Sequence, residues 1–300
     1  MGQQTLAETI KEITRRHLCE GNGLLLGESI SAVGWVNNTV PNVPGIVELP
    51  MTDVAGAGIA VGAALVGRRP IFVIRFQDFL ILNGSPLIFF AAKTKTLHGR
   101  SAPVFVRAIA SEGLGPVHSG VLHGIFMHFP GFLVSSPMTP GEYRETWDTF
   151  MKNDDPMICS EHRLSYQNTD ELPDVVDGKA DVTLYAISCT RFEAAKAVKT
   201  LAQEGIRCNL INIVRLKPFT VNDRLARPLK ESGLGLVIDP GYEIAGASRS
   251  IAYDLALATG RPVEALGLAD QTKCLCPPLR NSAPDAEAIC NRVRTMLNRE

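Results

Sequence analysis

Apolar positions along the chain recur with two different spacings, and the changes of spacing divide it into elements. Over residues 5–19, Leu6, Ile10, Ile13 and Leu18 stand near helical intervals, and Gly21 and Gly23 end the run. Residues 23–27 (GLLLG) are a short, wholly apolar strand with Glu28 at its carboxyl end. Residues 29–44 are rich in Gly, Asn and Pro without a period, which predicts a loop, and residues 46–49 predict a second strand. Asp53 then opens a helix over residues 54–66, in which Gly56, Gly58 and Gly62 alternate with alanines, so that neighbours can approach it closely. Further strands are expected at 71–76, 103–108, 132–135 and 157–160, and helices at 86–97, 122–129 and 140–152. Thr139 and Pro140 supply the cap and first turn of the last of these helices.

A polar, turn-rich stretch at 164–180 separates this half from a second alternation. There the pattern predicts strands at 181–188, 209–213 and 235–238, and helices at 192–204, 218–231, 247–259 and 284–298, with a Pro-rich CLCPPL loop before the last. Strands alternating with helices imply an α/β fold in which a mostly parallel sheet is covered on both faces. The expected domains are residues 1–170 and 181–300, joined by a linker at 171–180. Ligands of such sheets bind beyond the carboxyl ends of the strands. Glu28, Asp53, Phe79 and His118 all follow predicted strands and are placed to converge there.

Composition narrows the function. With 300 residues, 45% of them hydrophobic, 20% charged and a net charge of −1, the chain has ample core material and no basic footprint for nucleic acid or an anionic membrane. The opening MGQQTLAETIKEITRRHLCEG reads as a charged amphipathic helix rather than a secretory signal. Leu6 stands where a myristoylation motif needs Ser or Thr, and no apolar run reaches the roughly 18–20 residues of a membrane span. Seven scattered cysteines point to reduced thiols, and the expected location is cytoplasmic. Cys274 and Cys276 form a lone C-x-C without a second ligand pair, and His123 and His128 are five apart instead of four, so no metal site is expected.

Each candidate residue has two readings at this level. Asp53 is an acid–base group or the cap of its helix, the commoner use of an Asp in that position. Glu28 is a functional carboxylate or a salt-bridge partner of Arg69, Arg75 or Arg107. His118, between Gly115 and Gly120, is a working loop histidine or a solvated one. His98, beside Gly99 and Arg100, binds an anionic group or sits at the surface. Phe76 and Phe79 are three apart across a strand end, so no more than one need face the core. Neither a phosphate-binding G-x-x-x-x-G-K-[ST] nor a dinucleotide G-x-G-x-x-G is present, and G-x-S-x-G is missing too.

At these same residues the chain resembles a known family over nearly its whole length. The motifs are GES at 27–29, LPMTDVAGAGIAVGAALVGRRP at 49–70, RFQDF at 75–79, AAKT at 91–94 and GLGPVHSG at 113–120. HFPGFLVSSPMTPGE at 128–142, NDDP at 153–156 and LAQEGIRCNLINIVRLKPF at 201–219 continue the order. The pattern is similar to the β subunit of thiamine-diphosphate-dependent 2-oxo acid dehydrogenases of the pyruvate dehydrogenase kind, related to the C-terminal half of transketolase. The resemblance implies a pyrimidine-binding domain followed by a transketolase C-terminal-like domain. It implies that Asp53 bonds a ring nitrogen of the cofactor's aminopyrimidine, favouring the imino tautomer that deprotonates the thiazolium carbon. Phe79 matches the aromatic that packs on the pyrimidine, His118 the loop histidine facing the substrate, and Glu28 an acidic residue near the cofactor.

The resemblance also implies a partner. The G-D-G…N segment that holds diphosphate and magnesium is missing, and in split members of the family it lies on an α subunit. The expected assembly has two α and two β chains that share thiamine diphosphate, with magnesium on α, activity only in the complex and a lipoyl acyltransferase as a further partner. The implied reaction decarboxylates a 2-oxo acid and passes on the acyl or aldehyde unit. Two departures open alternatives. Asp53 replaces the family's glutamate, drawing the carboxylate back by roughly 1–1.5 Å. KTLHGR at 95–100 replaces a more aromatic, glycine-rich segment, and its His98 and Arg100 suit a phosphorylated or acidic substrate. The alternatives are a split transketolase-like ketol transferase and a non-catalytic regulatory or scaffolding β chain.

Overall fold

The computed structural model describes residues 4–272 and 281–298, so Met1, Gly2, Cys274, Cys276 and the CLCPPL loop lie outside the described residues. The chain divides into two compact units, residues 1–171 and 172–300. Both are α/β with parallel sheets.

In the first unit the strands are β1 Leu24–Glu28, β2 Ile46–Leu49, β3 Pro70–Ile74, β4 Phe105–Ala110, β5 Leu133–Ser135 and β6 Met157–His162. They pair in the order β2-β1-β3-β4-β6-β5, every pair parallel. Every residue of β3, β4 and β6 is buried, as covering on both faces requires. The helices are α1 Leu6–Glu20, α2 Ala32–Asn38, α3 Val54–Leu65, α4 Leu80–Pro86, α5 Thr94–His98, α6 His123–His128 and α7 Pro140–Met151. Leu6 and Ile10 of α1 and Trp147 and Phe150 of α7 share one core with Leu25, Ile71, Val73 and Phe105 of the sheet. Side chains alternate along a strand, so Phe72, between Ile71 and Val73, turns to the other face and meets α3. There a Cβ built on Gly56 would stand 3.3 Å from both Glu28 Oε1 and Leu49 Cδ1. Glycine at that position lets the helix start sit directly on the ends of β1 and β2.

Three local features depart from the pattern. Residues 29–44 are not all loop, because α2 lies within them. Gly34, Trp35, Val36, Asn37 and Asn38 have φ between 52° and 62°, a left-handed turn. Such a turn costs about 1–2 kcal/mol per non-glycine residue and leaves no 3.6-residue signature. Tertiary contacts hold it: Val36 is buried, Asn38 accepts from Lys11 Nζ at 2.6 Å, and Thr39 Oγ1 accepts from Arg107 Nη2 at 2.8 Å. The helix expected at 86–97 begins six residues earlier and is interrupted by a wide π turn, Leu87–Ala91, directly after Pro86. Proline has no N–H to give the preceding turn, which opens the helix there. Helix 218–231 also starts late, at Asp223, where the Asn222 side chain accepts from Leu225 N.

A buried polar cluster ties the centre of this unit together. Arg107 on β4 bonds both oxygens of Glu161 on β6, at 2.7 and 2.8 Å. The hydroxyls of Tyr143 and Tyr166 donate to the same carboxylate at 3.0 and 2.7 Å. Burial, and then the Glu161 charge, push both tyrosines well above their usual pKa.

The second unit holds β7 Val182–Ile187, β8 Cys208–Ile213, β9 Arg215–Lys217, β10 Gly235–Tyr242 and β11 Val263–Leu268. A four-stranded parallel sheet runs β11-β10-β7-β8. Its helices are α8 Thr190–Gln203, α9 Asp223–Ser232, α10 Ala247–Thr259 and α11 Ala286–Met296. One core joins Ala194, Ala197 and Leu201 of α8 and Ile289 and Val293 of α11 to Val182, Leu184 and Ala186. The sequence pattern shows neither β9 nor β11: β9 has three residues, and edge strand β11 is largely half-exposed, so its apolar signal is diluted.

Candidate functional site

Parallel strands bring their carboxyl ends to one side, and in the first unit these ends frame a cleft of about 180 Å³. Met51, Phe72, Val73, Phe76 and Phe79 give it apolar walls, while Glu28, Arg75, Asn83 and His118 bring polar groups to it. Of the residues singled out from sequence, Glu28, Phe79 and His118 therefore lie together. Asp53 adjoins the cleft through Asn83, whose Nδ2 donates to Asp53 Oδ1 at 3.3 Å. His98 and Arg100 are exposed and do not line it; Arg100 donates to the Leu65 carbonyl at 3.3 Å.

Asp53 does not cap its helix. Its side chain makes no capping bond, and its backbone sits at φ 44°, ψ −96°. That conformation is rare for a residue with a Cβ and persists only where the surroundings enforce it. Glu28 does the capping from the end of β1: its Oε1 accepts from Thr52 N at 2.7 Å and Asp53 N at 2.5 Å. A carboxylate on free N–H groups at a helix start is favoured by both hydrogen bonding and the helix dipole. The salt-bridge reading of Glu28 falls with this. Arg69 pairs with Asp154, Arg107 with Glu161, and Arg75 donates to the Ser29 carbonyl.

His118 is held by its loop rather than by regular structure. Gln77, fully buried, donates from Nε2 to Ala108 O at 3.0 Å and Ser160 Oγ at 2.7 Å, and its Oε1 accepts from Leu122 N at 2.8 Å. Asp78 Oδ2 accepts from Gly120 N at 2.9 Å, and Ser111 Oγ donates to His118 O at 2.9 Å. A Cβ on Gly120 would lie 2.5 Å from Asp78 Oδ1, so this close grip needs glycine. The loop thus delivers the imidazole edge-on to Phe76 and Phe79, with ring centres 4.6 and 5.6 Å away. Both phenylalanines are half-buried and both face the cleft, although the core needs at most one of them.

Two features escape sequence reading. Asn83 is buried, and its Oδ1 has no hydrogen-bond partner. Arg75 and Arg163 both lie over the Phe76 ring, at 5.5 and 4.6 Å from its centre, and neither forms an ion pair among the described residues. Burial, with the Arg75 charge adding to it, holds the Arg163 guanidinium below its usual pKa. Asparagine amid apolar helix residues and arginines 88 positions apart carry no pattern that a sequence would reveal.

The cleft fits a flat, nitrogen-bearing heterocycle such as an aminopyrimidine. It offers aromatic plates for the faces, and for the edge a carboxylate and an unpartnered buried amide oxygen, which wants an N–H donor. Among the described residues no group of three or more His, Cys, Asp or Glu is arranged to hold a metal ion. No helix among them is long and apolar enough to cross a membrane.

Comparison with known proteins identifies the two domains. The transketolase pyrimidine-binding domain matches residues 44–169, and the transketolase C-terminal domain matches residues 174–282. The chain is 29% identical over 250 residues to the acetoin:2,6-dichlorophenolindophenol oxidoreductase subunit beta of Cupriavidus necator, covering 78% of this chain and 72% of that one. It is 26% identical over 222 residues to the pyruvate dehydrogenase E1 component subunit beta of Rickettsia felis, covering 69% and 68%. A split gene transketolase, solved as an inactive beta4 tetramer, superposes with a TM-score of 0.76 over 99% of each chain at 16% identity, a likeness of fold. By these two domains the chain belongs to the transketolase-like proteins, and in sequence it is similar to the β subunits of the pyruvate dehydrogenase E1 component.

Proposed function

We propose that the chain is the β subunit of a heteromeric thiamine-diphosphate-dependent enzyme that decarboxylates a 2-oxo acid and transfers the acyl or aldehyde unit. The observation that carries this reading is the meeting of Phe79, His118, Glu28 and the Asp53–Asn83 pair at one strand-end cleft. When bound, thiamine diphosphate supplies the nucleophilic carbon and the electron sink. Phe79 packs against the pyrimidine and sets its plane. Asp53, its main chain fixed by Glu28, holds a proton at a ring nitrogen. His118 faces the reacting carbonyl and exchanges a proton at its oxygen.

The relatives' names as E1 component subunits support a partner chain. On this reading an α subunit supplies the diphosphate half of the site and the magnesium, in an assembly of two α and two β chains. A lipoyl acyltransferase acts as acceptor where the partner complex includes one. Arg75 and Arg163 favour a second reading, ketol transfer from a donor with an anionic group. Each guanidinium gives one Nη to a main-chain carbonyl and has no carboxylate partner among the described residues. These two take over the anion-binding role that His98 and Arg100 were expected to fill.

Co-purification with the α partner, followed by 2-oxo acid turnover with an artificial electron acceptor, tests the proposal. Turnover that falls by about 100-fold or more in Asp53→Asn supports it. Turnover confined to ketose phosphates moves the assignment to the second reading. Stable assembly that turns over neither donor, with nothing gained by Asp53→Glu, makes the chain a regulatory subunit.

A further inference from the structure

Two polar residues of the cleft are incompletely bonded, Arg75 at Nε and Asn83 at Oδ1, and of these Asn83 offers an acceptor. It projects from α4, is 3% exposed, and lines the same cleft as Glu28, Phe79 and His118. Its Nδ2 donates to Phe79 O at 3.0 Å and to Asp53 Oδ1 at 3.3 Å. Both partners are acceptors only, so the amide nitrogen must face them, and the orientation of the side chain follows from the network. The carbonyl oxygen is then buried at the cleft wall with no hydrogen-bond partner among the described residues.

A purely structural role explains one half of this side chain. The bond to Phe79 O is a local link back along α4, and the bond to Asp53 steadies a strained residue. Neither explains the buried oxygen. An unpaired buried acceptor costs the full desolvation of that group, whereas a leucine of similar shape would leave nothing unpaired. Buried polar atoms are nearly always satisfied, and an exception points to a missing donor.

We infer that Asn83 is a positioning residue of the ring subsite: Nδ2 orients the Asp53 carboxylate, and Oδ1 accepts from the exocyclic amino group of the bound aminopyrimidine. The inference rests on the proposed thiamine reading and deepens it. Asp53 is thereby held from two sides, its N–H by Glu28 and its carboxylate by Asn83. This is the local support a shortened acid needs to keep one geometry. The same contact makes the site selective for an amino group over an oxygen at that ring position, because two acceptors would then face each other.

Thiamine and oxythiamine, which differ in that amino group alone, are the probes. Both are titrated by NMR into the full chain assembled with its α partner, and into the same assembly carrying Asn83→Leu. Wild-type chain should bind thiamine about tenfold tighter than oxythiamine, the size of one hydrogen bond with a repulsion added. In Asn83→Leu that ratio should fall to about twofold or less, mainly through weaker thiamine binding. A ratio unchanged in a folded variant overturns the inference and leaves the cofactor reading standing. Wild-type chain that binds neither probe overturns both. If Asn83→Leu does not fold, the wild-type Asn83 side-chain amide resonances decide: they must move with thiamine and not with oxythiamine, and their failure to do so overturns the role.

Discussion

Glu28 is the residue on which the site's geometry most directly depends, and removing it has a calculable cost. Its Oε1 takes the N–H groups of Thr52 and Asp53 at 2.7 and 2.5 Å, at the start of the twelve-residue α3. Hydrogen bonds to a charged acceptor contribute roughly 1.5–3 kcal/mol each, and Glu28 is half-exposed, so the lower end applies. Two such bonds give about 3 kcal/mol for Glu28→Ala, including the helix-dipole term. Glu28→Gln keeps an oxygen acceptor and loses mainly the charge, which predicts about 1 kcal/mol. The two tryptophans of the chain, Trp35 and Trp147, both lie in the first unit, so fluorescence during urea unfolding reports on that unit selectively. Exchange of the Asp53 amide should accelerate by about 100-fold in Glu28→Ala, since Glu28 is its acceptor. A loss below about 0.5 kcal/mol in Glu28→Ala, or equal losses in both variants, would refute the idea that this carboxylate fixes Asp53.

Other expectations follow from the same contacts. Glu161→Gln should cost about 3–5 kcal/mol by fluorescence-monitored unfolding, because it leaves the Arg107 charge buried and uncompensated; Arg107→Met with Glu161→Leu should recover most of that. Burial lowers the pKa of His17 from its usual 6.5, against a bond from Nε2 to the Arg69 carbonyl. The unfolded chain then binds the proton more strongly, so stability is full above about pH 6.5 and declines as pH falls through the lower folded value; His17→Gln should flatten that decline in urea midpoints. Gly120→Ala, whose Cβ would meet Asp78, should displace the His118 loop and lower kcat of the assembled enzyme about tenfold or more while leaving the unfolding midpoint nearly unchanged. Arg75→Gln and Arg163→Gln should each raise KM for an anionic donor and spare a neutral one; equal effects on both would exclude an anion subsite.

Much of this protein was legible in its residues because local physics sets it. Short, continuous apolar runs at 24–26 and 71–74 read as strands covered on both faces, and the capped run at 140–151 reads as a helix, as the structure has them. The Gly/Ala register of α3 announces close packing, and Gly56 meets that expectation against Glu28 and Leu49. The alternation of elements, with Glu28, Phe79 and His118 after strands, places the cleft, because parallel strands carry their carboxyl ends to one side.

Tertiary structure decided the rest, where a residue's role depends on what reaches it from a distance. Asp53 looks like a helix cap by position; a carboxylate 25 residues earlier takes that role and leaves Asp53 free to face Asn83. Arg75 and Arg163 meet over one ring although 88 residues separate them, and no spacing rule connects such positions. The left-handed turn at 34–38 exists because Lys11 and Arg107 hold its end. Periodicity reports how a segment buries its own apolar side chains. Pairing of polar groups across strands and helices is settled only when packing excludes water and each buried donor and acceptor must find a partner.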